Sequence, residues 1–193
     1  MTKTMYFLSG NSSTLCIEAA DGGEILYWGR KIAPTESLKT ALTRAVPYGR
    51  LDVDTPVTLM AENGRGLFGS PGIEGHRNGR HWSPVFTIVR VEEIGDGLLV
   101  YSEDNAAGLR VTSHLHLDRD CDVIKINHTL SNAGNEAYSV SRLAVTLPLA
   151  ERACECLSFY GRWVGEFQQH RHTLAHGGYQ QENRRGRTSH HHY

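Results

Sequence analysis

The side chains able to do chemistry in this sequence fall into four groups. Imidazoles come in two His-x-His pairs, His114 with His116 and His170 with His172, and on a strand that spacing puts both rings on one side, where a metal site could begin. The pattern supplies neither pair with a third ligand at a recognised interval. Among Cys16, Cys121, Cys154 and Cys156, only the last two are close, and they are spaced Cys-x-Cys rather than Cys-x-x-Cys. Solvent-facing histidines and buried strand thiols are the resulting expectation, with no metal and no cofactor. Arg184, Arg185 and Arg187 could grip phosphate, but a solvated loop or a clasp on carboxylates suits them better. Arg80-His81-Trp82 is the kind of amphipathic cluster that stacks on a sugar ring and bonds its hydroxyls, which makes Trp82 a candidate substrate contact beside its plainer reading as a packing aromatic. Carboxylates are plentiful, yet no recognisable pair of nucleophile and proton donor stands out. Glu166 reads as a structural acceptor for a nearby arginine.

The elements that must position these groups are strands. Thr14–Ala20 and Glu24–Gly29 flank Asp21-Gly22-Gly23, a turn that readily takes positive φ, and so predict a hairpin. From Val85 onward, β-rich runs follow at short, regular spacing: Val85–Glu92, Leu98–Glu103, Gly108–Leu117, Val123–Leu130 and Tyr138–Leu149. That cadence argues for an antiparallel β-sandwich rather than βαβ units. In the third run Leu109, Val111, Ser113, Leu115 and Leu117 share one face, while Arg110, Thr112, His114 and His116 share the other.

Between hairpin and sandwich the pattern weakens. Residues 33–56, punctuated by Pro34, Pro47, Gly49 and Pro56, read as an arm whose one possible helical turn is Glu36 to Arg44. Residues 62–84 read as loop. An all-β fold with one short helix is the expectation, in a single domain spanning 1–193.

A formal net charge of −1 leaves no basic footprint for nucleic acid, and no apolar run is long enough to span a bilayer. The first apolar run breaks at Ser9-Gly10-Asn11, too soon for a secretory core, so a cytoplasmic location is expected.

Motifs near the end of the chain add a resemblance. Gly161, Trp163 and Glu166 form Gly-x-Trp-x-x-Glu; Leu174 and Gly177 form Leu-x-x-Gly; Arg185, Gly186, Ser189 and His190 follow, with Asn183 where Ser is usual. Together they resemble the N-terminal β-sandwich (supersandwich) region of bacterial α-galactosidases of glycoside hydrolase family 36. Tyr27-Trp28-Gly29-Arg30 resembles that family's Tyr-Trp-Gly-Lys, with Trp28 a core or edge aromatic, whereas Leu67 and Gly69 replace a charged pair beside the matching Phe68 and Pro71. Because Ser189 and His190 fit the motif, the closing run His190–His192 reads as native.

The resemblance implies the non-catalytic front piece of a retaining glycosidase acting on α-galactosides. Both of its catalytic Asp residues would lie in a barrel outside this sequence, against which the sandwich packs. It further implies a homo-oligomer in which the arm helps finish a neighbour's sugar site. Arg50 matches the arm's basic residue, while the acidic partner expected near Thr43 is missing. A sheet edge or apolar face should stand open where the barrel would cover it. The rival reading is an independent carbohydrate-binding or scaffold sandwich, complete in itself.

Overall fold

The computed structural model describes residues 4–42, 55–67, 69–149, 152–161, 164–175 and 177–182, without the side chains of 36, 37 and 39. Strands make up 49% of the described residues and helix 4%, which settles the class as all-β. The chain divides into two compact units, Met1–Pro148 and Leu149–Tyr193.

In the first unit β1 (Met5–Ser9), β2 (Ser13–Glu18) and β3 (Glu24–Arg30) form one antiparallel sheet in chain order. The expected hairpin is β2–β3, its turn carried by positive φ at Asp21 and Gly23 and closed by Gly23 N–H on the Ala20 carbonyl at 3.0 Å. Strand β1, to which the sequence reading gave no role, completes the sheet. The next strands are β4 (Ile73–His76), β5 (Thr87–Ile94), β6 (Gly97–Asp104), β7 (Leu109–Asp118), β8 (Val123–Asn132) and β9 (Ser139–Leu143). Of these, β5-β6-β7-β8 form a second antiparallel sheet, and β4 pairs with β9.

The two larger sheets pack face to face through the residues that alternation had placed inward. Leu8, Leu15, Ile17 and Ile25 of the first sheet meet Leu98, Val100, Leu115 and Leu117 of the second, with Leu59 between them. Each such side chain is worth about 1.5–3 kcal/mol when removed from water. The other half of β7, Leu109 and Val111, enters a second cluster with Met60, Ile73, Phe86 and Ala107. One strand thus feeds both cores, so its register fixes the whole sandwich.

The arm begins with α1 (Glu36–Leu42), capped by Thr35, whose hydroxyl accepts from Leu38 N–H at 3.2 Å. Residues 43–54 lie outside the described residues. The chain re-enters the sandwich at Val57, whose carbonyl accepts from Ile25 N–H at 2.8 Å, and Leu59, whose N–H donates to the Gly23 carbonyl at 3.0 Å.

The stretch 62–84, read as loop, contains β4. Its short run was hidden by Gly75, yet Gly75 is what lets the pair close: a Cβ there would sit 2.5 Å from the Ser139 carbonyl oxygen. The ladder to β9 slips by a bulge between Glu74 and Gly75. After β9 the expected strand 138–149 stops pairing as a ladder, but Ala144 N–H still reaches the Gly72 carbonyl (2.7 Å) and Thr146 N–H the Leu59 carbonyl (3.2 Å).

Among the described residues, the second unit holds a two-stranded antiparallel ribbon, β10 (Glu155–Tyr160) and β11 (Gln168–Thr173). Its connection turns sharply through positive φ at Gly161, Val164 and Phe167.

Candidate functional site

Trp82 stands on a loop built by a very tight hairpin. Arg77 and Arg80 exchange backbone hydrogen bonds of 2.8 and 2.9 Å around Asn78-Gly79, both at positive φ as a two-residue turn of this kind requires. The hairpin is tied down from both sides. Beneath it, buried Arg77 donates through Nη2 to the Ala107 carbonyl and to Asn132 Oδ1, each at 2.9 Å. Beside it, Tyr138 Oη donates to the His81 carbonyl at 3.0 Å, and Glu136 accepts from Asn78 Nδ2 at 3.5 Å. The indole of Trp82 is 63% exposed on this braced loop. An exposed flat apolar ring with Arg80 close by in sequence is suited to stacking on a pyranose.

Trp28 is 45% exposed on β3, opposite Leu15. It is therefore an edge aromatic rather than a core one. Arg50 lies outside the described residues, as do Trp163, Arg185, Gly186, Ser189 and His190. Gly161 starts the turn between β10 and β11 at φ 139°, where a Cβ would meet the Gly165 carbonyl oxygen at 2.0 Å. Only glycine fits such a position. Glu166 is exposed in the same turn, and among the described residues no arginine pairs with its carboxylate.

The histidine pairs separate into two situations. His114 and His116 lie on the outward face of β7 opposite Asn127 and Lys125. On the ribbon, His172 lies opposite Cys156 and His170 opposite Ser158, so a thiol does accompany these imidazoles, brought there by strand pairing rather than by sequence interval. The two rings stack at 5.4 Å and Tyr179 covers His172 at 4.0 Å. Among the described residues, no three such side chains converge as a metal would need. The four cysteines are free thiols, and burial together with the Glu18 carboxylate pushes the Cys16 thiol up to about 11.

Three polar anchors had no signal in the sequence. Glu62 is buried, accepts from Phe86 N–H at 2.7 Å and pairs with Arg65, whose guanidinium also reaches the Phe86 carbonyl. Burial raises its carboxyl above the usual value, against the pull of the Phe86 amide and Arg65. His128 bridges Ser113 Oγ (2.8 Å) and the Leu59 carbonyl (3.1 Å). Asp122 accepts from the amides and hydroxyls of both Ser12 and Ser13. Each binds partners far away in sequence, which no local pattern reveals.

The N-terminal domain model of glycosyl hydrolase family 36 matches residues 23–193. The chain belongs to that family. An α-galactosidase of Escherichia coli is 47% identical over 189 residues, an alignment covering 96% of this chain and 26% of that protein. The fold of this family 36 N-terminal domain is similar to that of two solved α-galactosidases. A doubly substituted variant of the Geobacillus stearothermophilus enzyme AgaA in complex with raffinose gives a TM-score of 0.80 at 16% identity, over 98% of this chain and 30% of that one. The galactosidase domain of the α-galactosidase–sucrose kinase AgaSK gives 0.81 at 20% identity, over 98% and 31%. This family 36 chain therefore spans roughly a quarter of the curated relative it matches.

Proposed function

We propose that this chain is the non-catalytic N-terminal domain of a retaining α-galactosidase-type glycosidase. In that reading it packs in cis on a catalytic barrel, supports assembly of a homo-oligomer, and lends Arg50 and Trp82 to an α-galactoside site. The observation that carries it is a bare apolar row on the first unit. Leu143, Val145 and Leu147 are 37%, 39% and 37% exposed, while the residues between them, Ala144 and Thr146, are the ones tied inward to Gly72 and Leu59. Soluble domains seldom leave such a row uncovered. The Escherichia coli relative is about four times as long as this chain, and in the proposed reading the remainder of such a protein supplies the cover. Free thiols suit a reducing compartment such as the cytoplasm, and no helix among the described residues is long and apolar enough to cross a membrane.

The test uses the intact protein and this 193-residue chain side by side. Intact protein is expected to hydrolyse aryl α-galactosides, and the chain alone is not. Val145→Asp with Leu147→Asp in the intact protein should make the linker after the domain protease-sensitive and lower the thermal midpoint. Turnover by purified chain alone, or an undisturbed double variant, would overturn the reading.

A further inference from the structure

The peptide that carries Trp82 is held by two side chains from elsewhere in the fold. Tyr138 Oη donates to the His81 carbonyl at 3.0 Å, and the Asp104 carboxylate accepts from Val85 N–H at 2.8 Å. Among the described residues, no other hydrogen bond is made by residues 81–85. His81 itself stands at φ 54°, a left-handed conformation that a side chain adopts at a cost and keeps only where its surroundings hold it there. The strained residue, its tether and the exposed indole are thus consecutive in the structure.

Tyr138 is built as a fixed post for that tether. It immediately precedes β9, and the last rung of the β4–β9 ladder, His76 with Ser139, sets its height. Its ring fills the space that Gly75 leaves bare: a Cβ on Gly75 would lie 2.5 Å from Tyr138 Cε1 and 3.1 Å from its Cζ. The Arg77 guanidinium lies 5.7 Å from the ring centroid, and that side chain is itself fixed by the Ala107 carbonyl and Asn132. With the ring so confined, Oη stays beside the His81 carbonyl.

We infer that Tyr138 is a positioning residue for Trp82: its hydroxyl fixes the peptide one residue before the indole and so presents the ring face to a hexopyranose. The inference rests on the sugar contact proposed above for Trp82. A loop free to turn would offer the sugar a usable indole only part of the time, and apparent affinity falls by that fraction. The effect is on binding, so it belongs to KM rather than to kcat. Tyr138 also packs against the cluster of Met60, Ile73 and Phe86, a duty that its ring performs without the hydroxyl. Tyr138→Phe therefore separates the two roles.

In the intact protein, Tyr138→Phe should raise KM for an aryl α-galactoside about two- to tenfold, the range that one neutral hydrogen bond allows, with kcat nearly unchanged. In a Trp82→Ala background the same substitution should change KM by less than about twofold, because no indole is left to place. Loop order is read separately and without sugar. Limited trypsin digestion should cut after exposed Arg80 faster in Tyr138→Phe than in the parent protein, with the thermal midpoint nearly unchanged. Equal KM effects of Tyr138→Phe in both backgrounds, or unchanged cutting after Arg80, would overturn the positioning role. A KM moved by Trp82→Ala but not by Tyr138→Phe removes this inference alone, whereas a KM unmoved by Trp82→Ala removes the sugar contact and the inference with it.

Discussion

The carboxylate of Asp122 takes both the amide (2.9 Å) and the hydroxyl (2.6 Å) of Ser12, joining the β7–β8 turn to the β1–β2 turn of the opposite sheet. Asp122 stands at positive φ to do so, and Ser13 adds a second amide and hydroxyl. Hydrogen bonds from Ser12 above all hold its carboxyl down at about 2. A carboxylate lowered on folding adds stability above its ordinary value near 4, and that stability is lost as pH falls toward 2. Asp122→Asn should therefore lower the thermal midpoint at pH 7 and flatten the acid limb between pH 4 and 2, followed by circular dichroism. Gly10→Ala should act on the same clasp, since a Cβ there would lie 1.9 Å from Asp122 Oδ1. The two changes combined should cost less than their sum.

Much of the sandwich was legible because the relevant signals are local. Alternation along Leu109–Leu117 states which face of β7 is inward, and Asp21-Gly22-Gly23 states where β2 turns into β3. β1 and β4 were not legible, because five- and four-residue strands carry too few alternations, and Gly75 imitates a loop while serving a close backbone approach. The site divides in the same way. Trp82 in a loop could be picked out by type, and it does stand exposed. The supports of that loop could not, since Arg77 is joined to Asn132 across 55 positions. Such pairs exist only once the sheets have formed.

Leu115 is fully buried where the two sheets meet. Leu115→Ala leaves a cavity between layers that are each held in register by long ladders, so little collapse can fill it. A loss of about 2–5 kcal/mol is expected from urea denaturation. The outward neighbour change His114→Ala should stay within about 0.5 kcal/mol.

Glu62 gives a pH signature of opposite sense to Asp122. Its carboxyl is raised by burial, so its contribution is fullest below about pH 4.5 and declines as pH rises through the raised value. Glu62→Gln keeps an acceptor for Phe86 N–H and should cost about 1–3 kcal/mol while removing this pH dependence. Glu62→Leu strands both Phe86 N–H and Arg65 and should cost about 3–5 kcal/mol. Denaturant midpoints between pH 4 and 8 separate the two, and equal losses would mean that Arg65 finds another partner.

The last prediction separates residues that would serve sugar from residues that would serve the fold, in the intact protein. A side chain lent to a sugar site from outside the reacting centre binds ground and transition states alike, so its removal raises KM and leaves kcat nearly unchanged. Arg50→Ala and Trp82→Ala should both behave this way toward aryl α-galactosides. Trp82 is 63% exposed, so its loss should shift stability by no more than about 0.5 kcal/mol. Trp163, which the Gly-x-Trp-x-x-Glu motif marks as structural, should behave in the contrary way: Trp163→Ala lowers folded yield by a destabilisation of about 3–5 kcal/mol, with KM unchanged in whatever folds. Michaelis constants and thermal midpoints measured on the three variants together make the distinction. Unchanged kinetics in Arg50→Ala would remove the arm from the sugar site, and a lowered midpoint without a KM change in Trp82→Ala would return that indole to packing.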